Sequence, residues 1–78
     1  MTSPSAVKKR MAAFLRQPDE RLADQTALAS LVHESFVLIQ LVMDLQEEFG
    51  AQLVQDDLRD VKTVGDLVGV ILRASRVP

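Results

Sequence analysis

Near the middle of a 78-residue chain the only histidine, His33, stands two residues before a serine, Ser35. With a neighbouring carboxylate they name the parts of a hydrolytic triad, in which a base draws the proton from a hydroxyl nucleophile. Triads are assembled from separate elements around an oxyanion hole and a substrate pocket, and two residues at one helix entrance supply neither. A chain this short has a small core, with about 3–5 kcal/mol of net stability to keep a catalytic site rigid. Catalysis is therefore not expected, and His33 reads as a partly exposed loop residue. Metal chemistry is not expected either. One His and no Cys cannot make a two-His or thiolate site. Asp56, Asp57 and Asp60 lack the spacing and the glycine of a calcium loop.

Ser35 on its own has two readings. A serine before an apolar helical run is ordinarily an N-cap. This one follows a long connection, and Phe36, Val37 and Met43 come soon after it on positions that the helical period leaves outside the core. A helix N-terminus also favours an attached phosphate, through its free backbone N–H groups and its dipole. Ser35 is thus a candidate for carrying a phosphodiester.

The elements that must position it follow from apolar spacing. Val7, Met11, Phe14 and Leu15 lie on one face of a helix that begins near Ser5, capped by Ser3 or Ser5, and ends near Gln17 before Pro18. Residues 18–34 show no clean period. They read as a long connection pinned to the core by Leu22, Leu28 and Leu31, and a loop of that length in so small a domain is often functional. Leu38, Leu41, Val42, Leu45 and Phe49 then make the strongest stripe in the sequence, with Ser35 before it and Gly50 after it, where a C-terminal glycine belongs. The opposite face carries Phe36, Gln40, Met43 and Glu47, with Val37 and Asp44 at its edge, and is less polar than a solvated face. A short helix is expected over 56–60. A last one, capped by Thr63, buries Val64, Leu67, Val68, Ile71 and Leu72, with Arg73 and Arg76 near its C-terminal end. No stretch alternates with period two. The expected fold is all-α, a small four-helix bundle with a long first loop and a short third helix.

Composition sets the outer limits. At 47% apolar and 26% charged residues the chain has the balance of a globular domain, not of a disordered one. A net charge of −2 argues against binding nucleic acid by phosphate neutralisation. No apolar run approaches the ~18 residues that span a membrane, and Met1-Thr2-Ser3-Pro4 shows no signal-peptide core, so a cytoplasmic location is expected.

Val32-His33-Glu34-Ser35-Phe36 followed by Leu41-Val42-Met43-Asp44-Leu45-Gln46-Glu47-Glu48-Phe49-Gly50 resembles the acyl carrier proteins. In that family an Asp-Ser-Leu motif opens the second helix and a Leu-Val to Glu-Glu-Glu-Phe-Gly run closes it. Val61-Lys62-Thr63-Val64-Gly65-Asp66-Leu67-Val68 is similar to the family's later Ile-Thr-Thr-Val-Gly-Asp stretch, and the spacing between the two blocks fits without a gap. The resemblance spans residues 5–74 as one carrier domain, leaving 1–4 and 75–78 as flexible termini.

The resemblance implies that a phosphopantetheinyl transferase links phosphopantetheine from coenzyme A to Ser35, whose arm then holds acyl chains as thioesters. It explains how a chain without Cys can do thiol chemistry. The carrier itself would not catalyse. It would present its cargo, as a monomer when free, to a ketosynthase, an acyltransferase or other acyl-processing enzymes, with tethering raising the local substrate concentration. Partner contacts are expected from Glu34, Phe36, Val37, Ile39, Gln40, Met43, Asp44 and Glu47. Five positions depart from the family pattern: Glu34 replaces the usual Asp, Phe36 the usual Leu, His33 a usual Gly, and Val37 with Gln40 stand where acids are common. These departures point to a dedicated polyketide or specialised fatty-acid pathway and to apolar docking. The competing readings are an unmodified interaction module on the same fold, with Ser35 only a cap, and a peptidyl carrier for amino acids.

Overall fold

A computed structural model describes residues 3–75; Arg76, expected near the end of the last helix, lies outside the described residues. The elements in order are α1 (Pro4–Leu15), a 3-10 turn (Asp19–Arg21), α2 (Leu28–Leu31), α3 (Ser35–Phe49), α4 (Gln55–Leu58) and α5 (Val64–Ala74). The all-α class holds: among the described residues there is no strand, only two isolated antiparallel bridges. Where the sequence pattern predicts four helices, the described residues form five, because the connection after α1 closes a single helical turn at α2.

Local chemistry accounts for the ends. Pro4 opens α1 at a position that needs no N–H, and the Ser3 hydroxyl accepts the Ala6 N–H at 3.1 Å. Arg16 closes α1 in the left-handed region at φ 57°. Gly50 does the same for α3 at φ 63°, where glycine carries no steric penalty. At α5 the Thr63 hydroxyl accepts from Asp66 N–H, and the Asp66 carboxylate accepts from Thr63 N–H in return.

The three longer helices bury one core. Val7, Met11, Leu41, Leu45, Val64, Leu67 and Ile71 are fully enclosed, and Leu22 and Leu28 from the connection join them. The stripe of α3 is as expected at Leu41, Val42 and Leu45, with Leu38 and Phe49 half-buried at its flanks. On α5 the pattern differs: Val70 is buried and Leu72 only half-buried, because α5 meets α1, α3 and α4 and so hides more than one face.

The long connection is tied to the start of α5. Leu28 N–H donates to the Lys62 carbonyl, Val64 N–H to that of Thr26, and Gly65 N–H to that of Asp24, each at 2.9 Å. The backbones approach so closely that a Cβ on Gly65 would lie 3.0 Å from the Asp24 oxygen, which explains the glycine there. Lys8 on α1 pairs with the Asp24 carboxylate. A second tie joins α1 to α3, where Arg10 grips Asp44 with two hydrogen bonds of 2.8 Å, and Glu48 stands 3.9 Å away.

Candidate functional site

The connection and α3 meet at Ser35. Val32 is buried and its N–H donates to the Leu28 carbonyl at 2.8 Å, which anchors the chain just before the site. His33 and Glu34 are exposed. Glu34 is the N-cap of α3, in extended conformation and without a side-chain cap bond. Ser35 is therefore the first helical residue, and its expected place as N-cap is corrected by one position. The physical reason is that the Glu34 backbone, not Ser35, makes the transition into the helix: its carbonyl accepts from Val37 and Leu38 N–H at 3.1 and 3.3 Å. No side chain caps the entrance, so the positive end of α3 is open beside an exposed hydroxyl.

Two apolar grooves open from that hydroxyl. One, of about 370 Å³, runs between α3 and the α4–α5 region, with Leu38, Val42 and Met43 on one wall and Leu58, Val61 and Leu67 on the other. Gln46 borders it and is held in place, its side-chain oxygen accepting the Leu53 N–H at 2.9 Å. The other groove, of about 520 Å³, lies on the α2 side, lined by Leu28 and Val32 and by Val61 and Lys62. Ser35, Leu38 and Val61 border both. Sequence periodicity missed this division, because a groove-lining leucine and a core leucine occupy the same stripe. Gln46, a polar residue beside that stripe, was the one available signal.

The expected partner face is gathered on the outer side of α3. Phe36, Ile39 and Met43 are 55%, 58% and 55% exposed, values that leave more than half of each large apolar side chain in water. Gln40 and Glu47 are exposed beside them, and Val37 is half-buried at the edge. Asp44 is placed differently in one respect: its carboxylate is already engaged by Arg10. That hydrogen bonding holds Asp44 below the usual carboxylate range, against a smaller opposing effect of burial.

An exposed hydroxyl at an uncapped helix start, with apolar clefts leading away, fits an attached phosphodiester bearing an acyl arm. The comparisons with known proteins agree. The family model described as the phosphopantetheine attachment site matches residues 5–71. An acyl carrier protein of Thermotoga maritima is 34% identical over 68 residues, covering 86% of this chain and 84% of that protein. Acyl carrier proteins of Zymomonas mobilis (34% over 55 residues, 70% of each chain) and Chlamydia trachomatis (32% over 54 residues, 69% of this chain and 70% of that protein) are similar as well.

Proposed function

The chain belongs to the phosphopantetheine-bearing acyl carrier protein family, and on that premise we propose that Ser35 is its attachment residue and that it serves a dedicated polyketide or specialised fatty-acid pathway. Family membership makes it a non-catalytic carrier with a covalent phosphopantetheine group. When bound, the group supplies a terminal thiol that holds acyl chains as thioesters.

The observation that carries the assignment is Ser35 itself: exposed, first in a 15-residue helix, and bordering both apolar grooves. The remaining work falls to the chain's own residues. The open N–H groups at the start of α3 favour the phosphate's charge. Leu38, Val42, Leu58, Val61 and Leu67 offer an apolar lining that removes part of an acyl chain from water, at about 0.8 kcal/mol for each buried CH₂. Phe36, Val37, Ile39, Gln40 and Met43, flanked by Glu34, Asp44 and Glu47, form the face that partner enzymes meet. The partners are a phosphopantetheinyl transferase and acyl-processing enzymes such as a ketosynthase or an acyltransferase.

The pathway assignment is supported by that same face. Three exposed apolar side chains and a neutral Gln40 give a docking surface with weak charge, suited to a dedicated partner. Incubation with coenzyme A and a broad-specificity transferase, followed by intact-mass measurement and peptide mapping, tests the attachment. The expected result is one phosphopantetheine on Ser35 and none on Ser35→Ala. Modification of the alanine variant, or none of the wild type, refutes it. Loading the product with acyl, malonyl and aminoacyl groups by their cognate enzymes then separates the pathway classes.

A further inference from the structure

We propose that the His33 imidazole is a ligand of the phosphodiester on Ser35: protonated, it pairs with a phosphate oxygen and holds the first bonds of the arm beside the start of α3. This rests on the reading of Ser35 as the attachment residue. The backbone carries the rest. Glu34, the one residue between them, is extended at φ −118° and ψ 131°. At about 3.3 Å per residue the His33 and Ser35 Cα atoms then lie roughly 6.6 Å apart. Residues two apart across an extended backbone share a face, which brings an imidazole and a phosphate one bond beyond the serine oxygen within reach of each other.

The pair is held from both sides. Val32 is buried and hydrogen-bonded to α2 on the residue before His33, and α3 begins on the second residue after it. Among the described residues His33 is exposed and takes part in none of the hydrogen bonds or ion pairs of the fold, so its ring is not committed elsewhere. A phosphodiester is anionic across the whole range in which a histidine changes charge, so the contact needs only the proton on the ring. The other charges nearby are the Glu34 carboxylate, which favours the imidazolium, and two that oppose it: the positive end of α3 and Lys62, which borders the groove at Ser35. All three are present with or without the arm. The difference between the unmodified and modified protein therefore isolates the phosphate.

The sequence makes the test clean, because the chain holds one histidine. Its Cε1–H resonance is followed by NMR from about pH 5 to 8 in the unmodified protein and after modification with coenzyme A and a transferase, with the mass on Ser35 verified first. The expected result is a midpoint raised by about 0.3–1 pH unit on modification, the size of a unit-charge contact at a solvated surface. The phosphorus-31 resonance should titrate with the same midpoint, and its step should vanish in His33→Gln. High salt should shrink the shift. Coincident midpoints in the two forms, or a phosphorus step that survives His33→Gln, overturn the contact while leaving the attachment intact. Absence of added mass on Ser35 overturns both.

Discussion

Five serines lie in the described chain, and their hydroxyls are not equivalent. Ser3 accepts the Ala6 N–H, Ser30 donates to the Ala27 carbonyl at 2.6 Å, and Ser75 donates to the Phe49 carbonyl at 2.9 Å. Ser5 lies exposed within the first turn of α1, beside a cleft bordered by the charged Lys8, Lys9 and Asp19. Ser35 alone of the five borders grooves lined by leucine and valine side chains. A transferase reaction should therefore place its mass on Ser35 only, even under forcing conditions. Peptide mapping of the product checks this, and label on Ser5 or Ser30 would show that exposure alone selects the site.

The elements hold that serine in place through one core and a few specific ties. Leu45 is fully enclosed, so Leu45→Ala removes both transfer energy and packing and should lower stability by about 2–5 kcal/mol. Gln40, exposed on the same helix, should cost well under ~1 kcal/mol as alanine. Urea melts distinguish the two, and equal midpoints would mean that α3 does not face the core as described.

The start of α5 adds a pH-dependent tie. Asp66 accepts the Lys62 and Thr63 N–H groups at 3.1 and 3.2 Å, and these bonds hold its carboxyl below the ordinary value. A depressed folded-state pKa gives stability that is present above the unfolded value near 3.9 and is lost as pH falls through the folded one. Asp66→Asn should therefore melt at lower urea than wild type at pH 7, and the two should converge below about pH 3.9. A constant gap across that range would assign the bonds no role in stability.

Much of this architecture was legible beforehand. The 3.6-residue stripes of α1, α3 and α5, the glycine after Phe49 and the Thr63 cap are local signals, and local physics decides them. α2 was not legible, because four residues carry no period. It forms because Leu28 has both a core site and the Lys62 carbonyl to bond, which are tertiary facts. The exposed face of α3 could be read from spacing, and the start of the helix to within one residue of Ser35. The Arg10–Asp44 grip joins residues 34 apart, and no pattern along the chain announces it.

For the molecule as a whole, the question is what brings a partner to the Ser35 end and what keeps it there. A net charge of −2 spread over 78 residues makes a weak field, so long-range steering contributes little to association. One acid of the partner face is also partly spent, since Asp44 is neutralised within the fold by Arg10. Beside Ser35, the proposed attachment residue, stand three exposed apolar side chains: Phe36 one residue on, then Ile39 and Met43 along the same face. Burying an aromatic side chain in a partner pocket is worth roughly 1.5–3 kcal/mol by area. An exposed ion pair contributes about 0–1 kcal/mol and is screened by salt. The apolar contribution should dominate. Phe36→Ala should accordingly weaken binding to a cognate ketosynthase by about tenfold or more, the equivalent of at least 1.4 kcal/mol, and Glu47→Ala by only a few-fold at most. Raising salt should weaken wild-type binding modestly. Titration calorimetry or fluorescence anisotropy at low and high salt measures both effects. Affinity that collapses with salt while Phe36→Ala leaves it unchanged would mean that Glu34, Glu47 and Glu48 dominate docking, and that the exposed apolar side chains of α3 face water in the complex as they do alone.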